Sequence, residues 1–310
     1  MPDVIPVAFH SEHDDPNAWE AALRTHLPEL EFRLGNADPD GVVAALAWNP
    51  PHGFFAPFRE LKLVVNLGAG VDSLLGRDDL PPLPISRLND PGMVQLMCSY
   101  VTHAVTHYAR DFHQFQRAQR LGEWRYIHPR PLSAYRVSVL GLGELGAAAA
   151  EALARMGYSV TGWARSAKSV PGVRCLSGRE GFETALREAD TLVLLLPLTP
   201  QTRGLIGAVE LALMKPGANL INVARGPLVD EAALIAALRS GQIAEATLDV
   251  FETSPLAGGH PYWAMENVRI TPHLASITIP EAAAADVAES IRRVLRGEPP
   301  LHQVDPARGY

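Results

Sequence analysis

The sequence predicts an α/β protein built of two parallel-sheet domains, and three observations predict it. Short apolar runs alternate with helical patterns along the whole chain, one glycine-rich turn joins such a run to an alanine-rich helix, and 310 residues suffice for about two domains. Apolar runs of this length, set between helices, mark parallel strands covered on both faces.

The elements follow in order. Val4–Phe9 is the first strand, and the amphipathic stretch Pro16–His26 is the first helix. The runs Val42–Trp48, Leu61–Leu67 and Ile85–Leu88 supply further strands. One long helix is expected from about Gly92 to Arg120, because no Gly or Pro interrupts it after Gly92; it ends at Gly122 and the Pro129–Pro131 cluster and bridges the two runs. The second run starts at Tyr135. Its strands are Arg136–Leu140, Ser159–Trp163, Thr191–Leu196, Asn219–Val223, Ala246–Val250 and Val268–Thr271. Its helices include Glu144–Met156, Asp230–Ser240 and Pro280–Arg296, the last stopped by Gly297 and two prolines.

Composition narrows the function classes. The net charge is −7 with the acidic side not clustered, and since a protein gripping nucleic acid through its phosphates needs a basic surface, no nucleic-acid partner is expected. No apolar run approaches the ~18 residues of a membrane helix, and Met1-Pro2-Asp3-Val4 lacks a secretory pattern, so a cytoplasmic protein is expected. Cys98 and Cys175 form no CxxC pair and have no histidine partner, which leaves them incidental or structural. His103, His107 and Asp111 have helical spacing, but no further ligand set accompanies them, and no metal is expected. Neither a Gly-x-Ser-x-Gly elbow nor a Walker lysine is present.

Gly141-Leu142-Gly143-Glu144-Leu145-Gly146 follows a strand and opens a helix, the context a dinucleotide fingerprint requires. Gly141 permits the tight turn, Gly143 lets a pyrophosphate approach the backbone, and Gly146 lets the helix pack closely. The amides at the helix start bind the anion. This makes the second domain Rossmann-like. An NAD site would carry an acidic residue at the end of the next strand; here that turn holds Arg165, Ser166 and Lys168. A guanidinium binds a phosphate bidentately, so NADP(H) is expected, with NAD(H) possible. The cofactor-binding set also takes Leu145, Pro197 and Val223.

Three more segments stand at strand ends: Asn222-Val223-Ala224-Arg225-Gly226, Leu248-Asp249-Val250-Phe251 and Thr271-Pro272-His273-Leu274-Ala275. Ligands of open parallel sheets bind at such ends. Downstream of a nucleotide cradle, Arg225 can bind a carboxylate, and His273 can carry and release a proton, an unperturbed imidazole titrating near pH 6.5.

With Leu67-Gly68-Ala69-Gly70-Val71-Asp72 and Met214-Lys215-Pro216-Gly217-Ala218, these motifs resemble the D-isomer-specific 2-hydroxyacid dehydrogenase family over essentially the whole chain. Ala47-Trp48-Asn49-Pro50-Pro51 and the Trp163–Lys168 turn are most similar to the glyoxylate/hydroxypyruvate reductase A branch. The resemblance implies two flavodoxin-like or Rossmann-like domains with an active-site cleft between them. It implies substrate contacts from the amides of Ala69, Gly70 and Val71, a pocket wall at Trp48, and Asp249 at the nicotinamide end. The expected division is residues 1–99 with 283–310 as the substrate domain and 100–282 as the dinucleotide-binding domain. A homodimer is expected, with the long helix in the contact.

The sequence departs from the family pattern at one position. Where the family carries a Glu that pairs with the catalytic His, this chain has Ser254, directly before Pro255. A serine brings no charge, so His273 is expected to lose its proton at lower pH than in relatives with the Glu; Glu252 is a nearby substitute. Alternative readings are a reductase of phosphoglycerate-type or larger 2-oxo acids, and a non-catalytic dinucleotide-sensing protein.

Overall fold

The computed structural model describes residues 4–88 and 90–306. The chain forms two compact units, Met1–Met93 with Ile277–Tyr310 and Val94–Ser276.

The first unit holds a five-stranded parallel sheet, β1 (Ile5–His10), β2 (Leu30–Leu34), β3 (Ala44–Ala47), β4 (Leu63–Asn66) and β5 (Ile85–Arg87), in the order β2-β1-β3-β4-β5. That order is flavodoxin-like. β3 and β4 are buried throughout and contain only alanine, leucine and valine apart from Asn66. The helix α1 (Pro16–His26) starts where the sequence places it: Pro16 presets its first turn, and the Asp15 carboxylate accepts from the amide of Asn17 at 2.9 Å. It packs against the last helix of the chain, and the Arg292 guanidinium donates to the carbonyl of His26.

The second unit holds β6 (Arg136–Leu140), β7 (Ser159–Ala164), β8 (Arg174–Ser177), β9 (Thr191–Leu194), β10 (Ala218–Asn222), β11 (Ile243–Leu248) and β12 (Val268–Ile270). They make one seven-stranded parallel sheet, β12-β11-β10-β9-β6-β7-β8, which is Rossmann order with one added strand. Because β6 lies between β9 and β7, the strand order reverses at β6, and ligands of such sheets bind at the carboxyl ends there. The helices α4 (Glu144–Arg155), α5 (Gly178–Glu188), α6 (Ala208–Leu213) and α7 (Glu231–Ser240) cover this sheet, and α8 (Pro280–Leu295) returns to the first unit.

The expected single helix from Gly92 to Arg120 is corrected to two, α2 (Pro91–Ala109) and α3 (Phe112–Leu121). The break is Asp111, whose φ of 58° is left-handed. Aspartate tolerates that conformation because its short carboxyl bonds locally, and here it accepts from Gln114 Nε2 at 2.8 Å. His103, His107 and Asp111 therefore do not share one helical face.

Candidate active site

The predicted residues of the second unit follow the carboxyl ends of its strands. Across the sheet the sequence is His273 after β12, Asp249 after β11, Val223 and Arg225 after β10, Pro197 after β9, Gly141 after β6 and Arg165 after β7. The topology thus brings residues scattered from 141 to 273 in the sequence to one edge of the sheet.

The phosphate cradle sits at the reversal point. Gly141 takes a φ of 104°, and its amide donates to the carbonyl of Trp163 at 2.8 Å, which ties the turn to β7. A Cβ on Gly141 would lie 2.4 Å from the Leu195 carbonyl oxygen, and one on Gly146 would lie 1.8 Å from that of Gly141. Neither position admits a side chain. Gly143 is different: a Cβ there meets nothing within 4 Å, so its surface faces open space. It is also the N-cap of α4 and supplies no side-chain bond to the first turn. The leading amides of that helix are therefore available to an anion, and the turn fits a dinucleotide pyrophosphate. At the next strand end Arg165, Ser166 and Lys168 are all exposed.

Arg225 and His273 are held by different devices. Asn222, buried at the end of β10, donates from Nδ2 to the Arg225 carbonyl at 2.9 Å and accepts from the Ala224 amide at 3.2 Å. Gly226 then passes so close to the next loop that a Cβ would lie 2.0 Å from the Phe251 carbonyl carbon. Arg225 itself is half-buried and donates from Nη1 to the Ala224 carbonyl at 2.7 Å.

His273 has a φ of 57°, a left-handed conformation uncommon outside glycine. Asp249 holds the backbone there. Its backbone carbonyl accepts from the His273 amide at 2.9 Å, and its two carboxylate oxygens accept from the amides of Leu274 and Ala275, each at 2.9 Å. Asp249 is only 1% exposed, so these bonds are sheltered from water. Glu252, the nearby substitute for the family's glutamate, forms an exposed ion pair with Arg203 at 3.4 Å. Ser254 is exposed.

The first unit carries its own turn after β4. Asn66 is fully buried and donates from Nδ2 to the carbonyls of Gly68, at 2.8 Å, and Gly70, at 3.0 Å. With those carbonyls drawn inward, the amides of Ala69, Gly70 and Val71 donate to no acceptor among the described residues. The indole of Trp48 lies against this turn, since a Cβ on Gly68 would come within 2.4 Å of its Cζ3. Asn66 was not singled out from the sequence. Its signal is a lone amide ending an apolar strand directly before a glycine turn.

The remaining candidates are distinct from these loops. The Cys98 thiol is half-buried, and burial pushes its pKa up, which keeps it protonated and a poor nucleophile. His107 is buried beside Arg269, which with desolvation lowers its pKa to about 3, so its ring is neutral. Among the described residues, His52, Asp78 and Asp79 converge at the surface, where Arg77 already pairs with Asp79 at 2.7 Å. No helix of the described residues is long and apolar enough to cross a membrane.

Comparison with known proteins identifies the family. Residues 102–275 match the family model of the D-isomer specific 2-hydroxyacid dehydrogenase, NAD binding domain. A glyoxylate/hydroxypyruvate reductase A from Serratia proteamaculans is 38% identical, over 98% of this chain and 99% of its own length. The crystal structure of a D-isomer specific 2-hydroxyacid dehydrogenase from Xanthobacter autotrophicus, in complex with NADPH and MES, is 55% identical with a TM-score of 0.94, covering 99% of this chain and 100% of that one. An NADPH-dependent glyoxylate/hydroxypyruvate reductase from Sinorhizobium meliloti, solved with NADP and sulfate, is 33% identical with a TM-score of 0.92, over 99% and 100% of the two chains.

Proposed function

The chain belongs to the D-isomer-specific 2-hydroxyacid dehydrogenase family, and from that premise we propose that it reduces glyoxylate and hydroxypyruvate to their 2-hydroxy acids, with NADPH preferred over NADH. The observation that carries the reading is the array of Arg225, Asp249 and His273 on the same strand ends as an open, uncapped glycine cradle.

In this proposal the cradle at Gly141, Gly143, Leu145 and Gly146 takes the pyrophosphate, and Pro197, Val223 and Asp249 border the rest of the dinucleotide. Arg165, Ser166 and Lys168 take the 2′-phosphate, since no carboxylate stands in that turn to repel it. When bound, the cofactor supplies the hydride. Arg225 forks onto the substrate's carboxylate and carbonyl oxygens, which orients the carbonyl and stabilises charge growing on its oxygen. His273 as imidazolium gives the proton to that oxygen. The amides of Ala69, Gly70 and Val71 hold the carboxylate, and Trp48 limits the size of the substituent beyond it. Residues of the first unit form the substrate domain, and those of the second form the dinucleotide-binding domain. A cytoplasmic homodimer completes the reading, and light scattering in solution checks the oligomeric state.

The deciding experiment follows NADPH and NADH consumption with glyoxylate and hydroxypyruvate across pH. The proposal expects turnover that favours NADPH and fades toward alkaline pH as His273 deprotonates. Turnover only on larger or phosphorylated 2-oxo acids moves the assignment to another reductase of the family. NADPH binding without turnover on any 2-oxo acid overturns the reaction and favours a dinucleotide sensor.

A further inference from the structure

The loop that carries His273 is fastened at a point the reaction itself does not explain. Thr271, two residues before the histidine, donates its hydroxyl proton to Asp249 Oδ1 at 2.5 Å. A hydroxyl has one proton to give, and here it points to the carboxylate. With its single proton committed, the Thr271 oxygen is left as an acceptor, and the phenol of Tyr100 lies 2.5 Å from it. Tyr100 is therefore the donor. Burial pushes its pKa up, so the phenol keeps its proton through the working range of pH.

The other end of this chain is rigid. Tyr100 stands on α2, whose neighbours Met97, Val101, Ala104 and Val105 are buried in the core of the second unit with Val137 and Val139 of β6. Asp249 in turn fixes the backbone on both sides of His273 through the amides of residues 273, 274 and 275. A run of three hydrogen-bonded groups thus connects the packed face of α2 to a histidine held in a left-handed conformation.

We propose that Tyr100 is a positioning residue for the reduction: through Thr271 it keeps the Asp249 carboxylate aimed at the 273–275 amides, and so keeps the His273 imidazole where it delivers its proton. The inference rests on the assignment of His273 as the proton donor. Tyr100 touches no reacting atom and changes no bond; its contribution is the orientation of a group that does.

The test compares Tyr100→Phe, Thr271→Val and Thr271→Ser with the wild-type protein, singly and with Tyr100→Phe combined with Thr271→Val. One lost hydrogen bond in this network corresponds to roughly a threefold to tenfold fall in kcat. Tyr100→Phe and Thr271→Val are expected to show that fall and a displaced alkaline limb of the pH–rate profile, with the NADPH dissociation constant unchanged. Thr271→Ser keeps the hydroxyl and is expected to restore activity. The double variant is expected to lose no more than Thr271→Val alone, because the two groups act in series. His273 is also followed directly by its imidazole NMR titration, which Tyr100→Phe is expected to shift. Wild-type kcat and titration in Tyr100→Phe overturn the proposal, as do additive losses in the double variant or an equal loss of NADPH binding. A His273→Gln variant that turns over like wild type overturns the underlying assignment instead, and the two failures are told apart by that control.

Discussion

The turn after β4 and the turn after β6 meet the same requirement by opposite means. In the proposed reaction each leaves backbone N–H groups for an anion. At Gly141–Gly146 the backbone does this unaided: Gly141 takes a φ no other residue adopts readily, Gly146 removes a Cβ, and the helix start contributes its unpaired amides. At Gly68–Val71 a side chain takes part, the buried Asn66 binding two of the turn's carbonyls and leaving its amides without an acceptor among the described residues. The first device is local and shows in the sequence as a spacing. The second depends on one amide that looks, in the sequence, like the polar end of a strand.

Breaking each turn separately is the most direct check of that contrast. Gly146→Ala places a methyl 1.8 Å from the Gly141 carbonyl oxygen, a backbone atom that cannot yield without opening the turn. NADPH binding is expected to weaken by about 100-fold or more, read by quenching of protein fluorescence. Asn66→Leu removes two hydrogen bonds from the other turn, and the KM for glyoxylate is expected to rise by roughly tenfold to 100-fold while NADPH binding is unchanged. If Asn66→Leu weakens NADPH binding as much as it raises KM, the two turns are not independent and the contrast fails.

The same distinction explains what was legible in the sequence. The glycine turn after β6, the strand β3 and the helix α1 lie where the sequence places them because each is dictated locally, by glycine spacing, a continuous apolar run, or a proline behind an aspartate cap. Two strands escaped, β2 and β8, and both lie at the edge of a sheet. Their residues are only partly buried, so neither carries the continuous apolar run that marks an interior strand. The break at Asp111 escaped because nothing but a tolerant aspartate marks it. Within the candidate site, the loop motifs around Arg225 and His273 were visible, whereas Asn66 and Tyr100 were not. Both act on backbone or on other side chains through contacts that only the fold creates.

A smaller effect sharpens the comparison at the cradle's far end. The backbone can hold the pyrophosphate, but only side chains can tell a 2′-phosphate from a hydroxyl. Replacing Arg165 and Lys168 together by Gln is expected to lower kcat/KM with NADPH by about tenfold while leaving the value with NADH nearly unchanged. Equal losses with both cofactors place these residues outside cofactor discrimination.

The smallest expected change concerns a task that no backbone turn performs, the carrying of a proton. Amides present fixed dipoles, whereas in the proposed reaction His273 must be charged to act, and its charge depends on its neighbours. Ser254 brings no negative charge to the position where the family resemblance implies a glutamate, and Glu252 is engaged by Arg203. A carboxylate beside an imidazole favours the imidazolium, so it raises the pKa and extends the acid form to higher pH. Ser254→Glu is therefore expected to move the alkaline limb of the reduction profile upward by about one pH unit, with the acid limb and NADPH binding unchanged. The sign is decisive, because reduction needs the protonated form: a higher pKa can only widen the range on the alkaline side. A profile identical to wild type would show that residue 254 does not tune His273.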